Sequence, residues 1–387
     1  MIEPSKLTSE FIERYGGTST DIRSFFAPGR VNLIGEHIDY SGGKVLPAAL
    51  TYGITAAVRV TRARSTRMAS FDHPGDFAVN LESPIEFDES LRWANYPAGV
   101  MRLLADNGVI MRSCDILFAS DLPDGAGLSS SAALEVLTAV VMLGLSGDSR
   151  FSPRDIALLC QRAENQFIGV NCGIMDQYAV VFGKKGRAIL LDTAKVESGY
   201  VPFELDGYTL AIMNSNKRRG LADSKYNERR RECDAALELI RKIKPIGNLT
   251  SAALDEAESM IDDPVLLKRA RHAITENARV RQAVMCLEQG DLAEFGRLLD
   301  SSHASLRDDY EVTGRELDLL TDAARNADGC IGARMTGAGF GGCAIALVET
   351  SKLRGFSEKV AREYKNACGL PVDFYLSEAG DGARELI

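Results

Sequence analysis

None of the eight cysteines stands in a CxxC pair, and the four histidines are dispersed. That spacing predicts neither a zinc site nor a disulfide framework and suits a reducing compartment. No apolar run reaches the roughly 18 residues that a membrane helix needs. The opening segment, MIEPSKLTSEFIERYGG, carries acids and no apolar stretch, so no signal peptide is expected. Positive charge is in deficit: 45 lysines and arginines against 54 acids leave a net charge of −9. Phosphate backbones select basic faces, so nucleic acid is not expected as the main partner. Repeats, low-complexity tracts and long linkers are missing, as are a GxxxxGK[ST] loop and the HRD and DFG signatures of protein kinases. What remains is a chain of 387 residues, 45% hydrophobic and 26% charged. Those figures suit a cytoplasmic, globular protein of about two domains, at roughly 100–200 residues each.

Strand-like and helix-like segments alternate without regular βαβ order, which predicts an α+β architecture. Strands are expected at 22–27, ending at Pro28-Gly29, then at 45–60 as one bent strand or a pair, 66–70, 113–120, 188–192 and 208–214. Residues 132–145 read as a buried helix. A second helix is expected at 152–167, with Ser152 as N-cap and Pro153 at the first helical position. From Leu221 to residue 320 the pattern is mainly helical; strands at 330–335, 343–348 and 372–376 and a helix near 353–367 follow. A domain change near 184–199 divides the chain into 1–190 and 191–387.

Three segments carry most of the chemical information. DLPDGAGLSSSAA (121–133) joins a strand to a helix. Gly125 and Gly127 permit positive φ, and Ser129, Ser130 and Ser131 can cap the helix and offer hydroxyls at its start. Free N–H groups and the helix dipole make such a turn an anion site, though an ordinary capped loop has the same composition. GAGFGG (337–342) satisfies GxGxxG but lies between two strands, so it reads as a hairpin that approaches a ligand or another backbone. APGRVNLIGEHIDYSGGKVLP (27–47) gathers Arg30, Glu36, His37 and Asp39 among turn formers, a set suited to a polyhydroxy ligand or simply to a solvated loop.

Together and in this order, the three segments resemble the GHMP sugar kinases, and within them the galactokinase family. Trp93-Ala-Asn-Tyr96, the stretch from Ala163-Glu-Asn-Gln-Phe167 to Gly173-Ile-Met-Asp-Gln177, and Lys225-Tyr-Asn-Glu-Arg-Arg230 agree as well. The resemblance implies a two-domain kinase with its active site in the interdomain cleft. The implied reaction is transfer of phosphate from MgATP to the anomeric hydroxyl of galactose, the entry step of galactose catabolism. Ile38 stands where many members carry threonine, and isoleucine there is shared with kinases of N-acetylgalactosamine. A kinase for that or another sugar, such as arabinose, is therefore the alternative enzyme. A non-catalytic sugar and ATP sensor is the alternative of another class, against which Asp176 and the intact SSSA loop argue.

By the same resemblance Asp176 is the catalytic carboxylate and Arg30 its cationic neighbour. Whether Asp176 accepts the hydroxyl proton or chiefly orients the hydroxyl stays open, and its residue type alone equally suits a helix cap. Glu36, His37, Ile38, Asp39, Gly173 and Tyr226 are carried over as the sugar pocket. The charged run after Tyr226 reads as a solvated helix face. Ser70, Trp93, Tyr96 and the loop Gly125, Ala126, Gly127, Leu128, Ser129, Ser130 and Ser131 are carried over for the nucleotide. Glu164, at the edge of an apolar stripe, and Ser131 are the implied Mg²⁺ ligands. Galactose and MgATP are the expected partners, with no nucleic acid and no membrane; of the oligomeric states, a monomer is favoured. His73, His272 and His303 have no motif around them.

Overall fold

In the computed structural model, which describes residues 4–123, 125–217 and 222–386, the strands form three sheets. The largest is built from β1 (Arg23–Asn32), β3 (Pro47–Val60), β4 (Ser65–Ser70), β5 (Asp76–Asn80), β6 (Cys114–Ser120) and β13 (Arg384–Leu386). Its order is β13-β1-β3-β6-β4-β5, antiparallel throughout except for the parallel pair β4–β6. β2 (Lys44–Val45), β7 (Arg187–Asp192) and β8 (Glu197–Pro202) make a three-stranded sheet. β9 (Tyr208–Asn214), β10 (Cys330–Thr336), β11 (Cys343–Glu349) and β12 (Asp373–Leu376) make an antiparallel four-stranded one. Mixed α+β layers are thus what the chain forms. Leu221, at the start of the expected helical stretch, lies outside the described residues. Among the described residues no helix is long and apolar enough to cross a membrane.

Four local features position the site. The strand expected to stop at Pro28-Gly29 instead runs on to Asn32, through a register shift between Pro28 and Arg30. Proline is tolerated there because β13 pairs only with Ser24–Phe26, so at Pro28 the strand has β3 as its only partner. The helix Ser130–Ser146 is apolar along most of its length and buried on nearly all sides, with one acid, Glu135, inside it. Ser152 does cap the helix Pro153–Ala163, through a capping box with Asp155. That helix is shorter than expected, because a π turn, Glu164–Ile168, takes over its last residues. Finally, the GAGFGG segment is a turn joining β10 to β11 in an antiparallel hairpin.

Candidate active site

Two adjacent cavities, of about 240 and 280 Å³, share Ser130 and Ser131. The first is lined by segments from both halves of the chain, including Arg30, Asp39, Asp176, Tyr226 and Ala338. At its centre Arg30 meets Asp176 as a two-pronged fork, Nε to Oδ1 at 2.8 Å and Nη2 to Oδ2 at 2.9 Å. The third guanidinium nitrogen, Nη1, donates to the Gly127 carbonyl at 2.7 Å, which ties the fork to the glycine-rich loop. Ser129 also donates its hydroxyl to Asp176. Asp176 therefore does not cap its helix: Met175–Phe182 has Ile174 at the N-cap with no side-chain bond. Ser129 departs from its capping role for the same reason. It sits at the N-cap of Ser130–Ser146 in a left-handed conformation, φ +62°, with its hydroxyl turned to Asp176.

Glu36 and His37 are buried, not solvated. Glu36 accepts from the Gly337 N–H and the Asn32 amide and lies 3.3 Å from Arg334; burial pushes its carboxyl up, offset in part by Arg334. His37 Nε2 meets the Ala338 carbonyl at 3.1 Å, and Nδ1 meets the Tyr40 hydroxyl at 2.8 Å. A carbonyl only accepts, so Nε2 carries the hydrogen and Nδ1 accepts from Tyr40. Burial lowers His37 to about 3, which keeps the ring neutral. Both residues thus line the cavity while bonding the hairpin turn. The expected approach to another backbone lies further along the turn, where the Phe340 N–H donates to the Val312 carbonyl at 2.7 Å.

Asp39 is half-buried, and burial together with Asp176 and Glu36 pushes it up to about 7. Tyr226 and His37 rings lie 5.4 Å apart. The run after Tyr226 is a solvated face only in part, with Arg231 exposed. Arg229 is buried, donating to the Tyr310 carbonyl and pairing with Glu232 at 2.8 Å each, while Arg230 donates to the Asn171 carbonyl. Ile38 also departs from expectation. Its side chain is fully buried and packs at Gly43, outside the cavity lining, because the backbone turns there to deliver its neighbours His37 and Asp39. Gly173 explains itself sterically: a Cβ there would stand 1.8 Å from Asp39 Oδ2. Gly173→Ala must displace that carboxylate, and a shift of about 1 Å can cost 10²-fold in rate. If Asp39 is the sugar contact that the resemblance implies, the expected outcome is a fall of about 10²-fold in kcat/KM for galactose with little change in melting temperature. Unchanged galactose kinetics would refute that role for Asp39.

In the loop 125–131, Gly125 and Gly127 do adopt positive φ, at +65° and +74°. They line the cavity with Ser129, Ser130 and Ser131, whereas Ala126 and Leu128 are buried behind it. Glu164 lies across from the loop, buried, and burial with Asp176 pushes it up to about 7. Cys172, Gln177 and Ser131 act against that shift. A buried acid beside a serine, with no ion pair to a cation among the described residues, fits a site for a divalent cation brought in with phosphates. The second cavity is lined by Ser70, His73, Trp93 and Tyr96 against the apolar wall of Ile54, Phe118 and Leu134. Trp93 packs edge-on against Phe77 and Phe118, and its buried Nε1 has no hydrogen-bond partner among the described residues. Ser70 shapes the following turn by accepting from the Asp72 and His73 amides, both at 3.2 Å.

The sequence reading did not single out Glu135, Gln177 or Cys172, which meet Glu164 behind the loop. A signal for Glu135 was present: it is the only charged residue in an otherwise apolar helix.

The galactokinase galactose-binding signature matches residues 9–60, and the models of the GHMP kinase N-terminal domain and C-terminal region match 95–184 and 283–366. The galactokinase of Clostridium tetani is 50% identical to this chain, over 99% of it and 97% of the relative. That of Fusobacterium nucleatum is 48% identical, over 96% of each. Among solved structures, Lactococcus lactis galactokinase complexed with galactose superposes with a TM-score of 0.95 at 42% identity, covering 99% of both chains. Methanococcus jannaschii mevalonate kinase shares the fold alone, at a TM-score of 0.66 and 19% identity over 93% of this chain and 98% of its own. With identity at this level along nearly its whole length, this chain belongs to the galactokinase family of the GHMP kinases.

Proposed function

We propose that this chain transfers the terminal phosphoryl group of ATP to the anomeric (C1) hydroxyl of galactose. The observation that carries the reading is the Arg30–Asp176 fork, set in a polar cavity that shares Ser130 and Ser131 with a second one. Galactose occupies the first cavity, where Asp39 and Tyr226 have polar atoms to offer its hydroxyls and Glu36 and His37 hold the walls. Adenine lies against Trp93 and Tyr96, with Ser70 at the turn beside it, and the phosphates rest on the loop 125–131. Asp176 accepts the hydrogen bond of the C1 hydroxyl and aims its oxygen at the terminal phosphorus; Arg30 offsets the charge that develops there. Ser131 and Glu164 hold Mg²⁺, which, when bound, neutralises charge on the phosphates. The division near 190/191 sets the two halves on either side of the cavity, although the strand Arg384–Leu386 returns to the first half's sheet.

Galactose-dependent release of ADP, measured in a coupled assay with galactose 1-phosphate identified as product, tests the reaction. A nucleotide turnover indifferent to galactose would refute it. For the metal, Glu164→Gln should raise the Mg²⁺ concentration for half-maximal rate by about 10–100-fold or more, since even partners of a metal-binding carboxylate contribute that much. Galactose KM should stay near the parent value. An unshifted Mg²⁺ titration would return Glu164 to a structural role.

A further inference from the structure

Behind the phosphate loop, side chains from three segments meet out of solvent. Glu135, in the helix Ser130–Ser146, and Gln177, in Met175–Phe182, are both fully buried. The Gln177 amide Nε2 donates to Glu135 Oε2 at 3.1 Å and to Glu164 Oε2 at 2.7 Å. A primary amide has two N–H bonds, and this geometry uses both. Glu135 Oε1 and Gln177 Oε1 have no hydrogen-bond partner among the described residues. An acid buried in an apolar helix with one oxygen unsatisfied calls for a reason to be there. The arrangement at Glu164 supplies one. Two donors to Glu164, the Gln177 amide and the Cys172 thiol at 3.3 Å, fall on Oε2, and neither occupies Oε1.

We infer that Glu135 and Gln177 are a positioning pair: Glu135 holds the Gln177 amide, and Gln177 fixes the Glu164 carboxylate so that Oε1 is presented to the cation that accompanies the nucleotide. This rests on the assignment of Glu164 to that cation. Removing a hydrogen-bond partner of a metal-binding carboxylate typically costs about 10–100-fold in metal affinity.

The test reads ADP binding by calorimetry as Mg²⁺ is titrated, so it needs no turnover. Gln177→Met is close in length but has no N–H. It should raise the Mg²⁺ concentration for half-maximal ADP binding by about 10–100-fold, with galactose affinity and Mg²⁺-free ADP binding as in the parent. Glu135→Leu should shift the titration in the same direction. Glu135→Gln keeps an acceptor oxygen for Gln177 and should lie nearer the parent than Glu135→Leu. If Gln177→Met does not fold, Gln177→Asn withdraws the amide by one methylene and serves the same comparison. A merely structural role would lower the melting temperature and weaken all ligands together, which would overturn the pair. A shift in Glu164→Gln with none in the Gln177 variants overturns the pair alone. No shift even in Glu164→Gln overturns the cation assignment, and the pair with it.

Discussion

Asp176→Asn lowers turnover by about 10²–10⁴, the scale for losing a positioned acid or base. At 1.36 kcal/mol per tenfold, that is roughly 3–5 kcal/mol of barrier. The geometry gives the change two routes to harm. An amide replaces one of the two oxygens that accept from Arg30, so one arm of the fork faces N–H against N–H. Ser129, which donates to Oδ2, loses its acceptor when the amide nitrogen takes that position. Arg30 and Asp176 do not line the second cavity, so ADP affinity should fall far less than turnover. Turnover, ADP affinity and melting temperature measured on one preparation check this, and turnover within a few-fold of the parent would refute the assignment. Asp176→Ala separates the two roles. Asparagine keeps an acceptor that can orient the hydroxyl and alanine does not, so a higher residual rate in asparagine assigns that part of the effect to orientation.

Glucose, the C4 epimer of galactose, is expected to be a poorer substrate by about 10⁴–10⁵ in kcat/KM, because a site built to hydrogen-bond a hydroxyl is left with an unpaired buried group when that hydroxyl moves. The cavity is rigid where this matters. His37 is fixed by Ala338 and Tyr40, Glu36 by Gly337 and Asn32, and Asp39 by the close passage of Gly173. Glu36 and His37 cannot follow an epimer without breaking a bond to the hairpin turn, and Gly173 blocks Asp39 on one side. Equal kcat/KM for the two sugars would refute the hydrogen-bonding pocket, and loss of discrimination in Gly173→Ala would locate it at Asp39.

Legibility differed by the kind of physics involved. Helix caps and hairpins rest on neighbours in sequence, so the Ser152 cap and the β10–β11 hairpin could be read directly. The extent of β1 could not, since a proline ends a strand or not according to which partner runs beside it, and β13 comes from the far end of the sequence. The same holds for Ser129. Its composition says cap, and only Asp176, 47 positions on, claims its hydroxyl. Arg229 carries the charge of a surface residue but is buried by the carbonyl of Tyr310 and by Glu232. The convergence of Arg30, Asp39, Asp176 and Tyr226 follows the motifs that carry the family resemblance. Glu135 and Gln177 work from behind them, and only contact distances bring them into view.

The pairing of β1 with β13 has a consequence for the chain's biosynthesis. Arg23 and Glu385, which form a two-pronged ion pair at 2.6 and 2.7 Å across that edge, lie 362 positions apart. At about 5–20 residues per second, roughly 20–70 s of synthesis separate them. Throughout that interval β1 can pair with β3 on one side, while its other side remains an open row of amides and carbonyls, the kind of edge that recruits neighbouring nascent chains. The strand carries its own protection. Pro28 withholds a donor midway along it, and the register shift that follows breaks the regular ladder a foreign strand would need. The irregularity that immediately precedes Arg30 in the finished enzyme thus also shields the growing chain from its neighbours on the polysome.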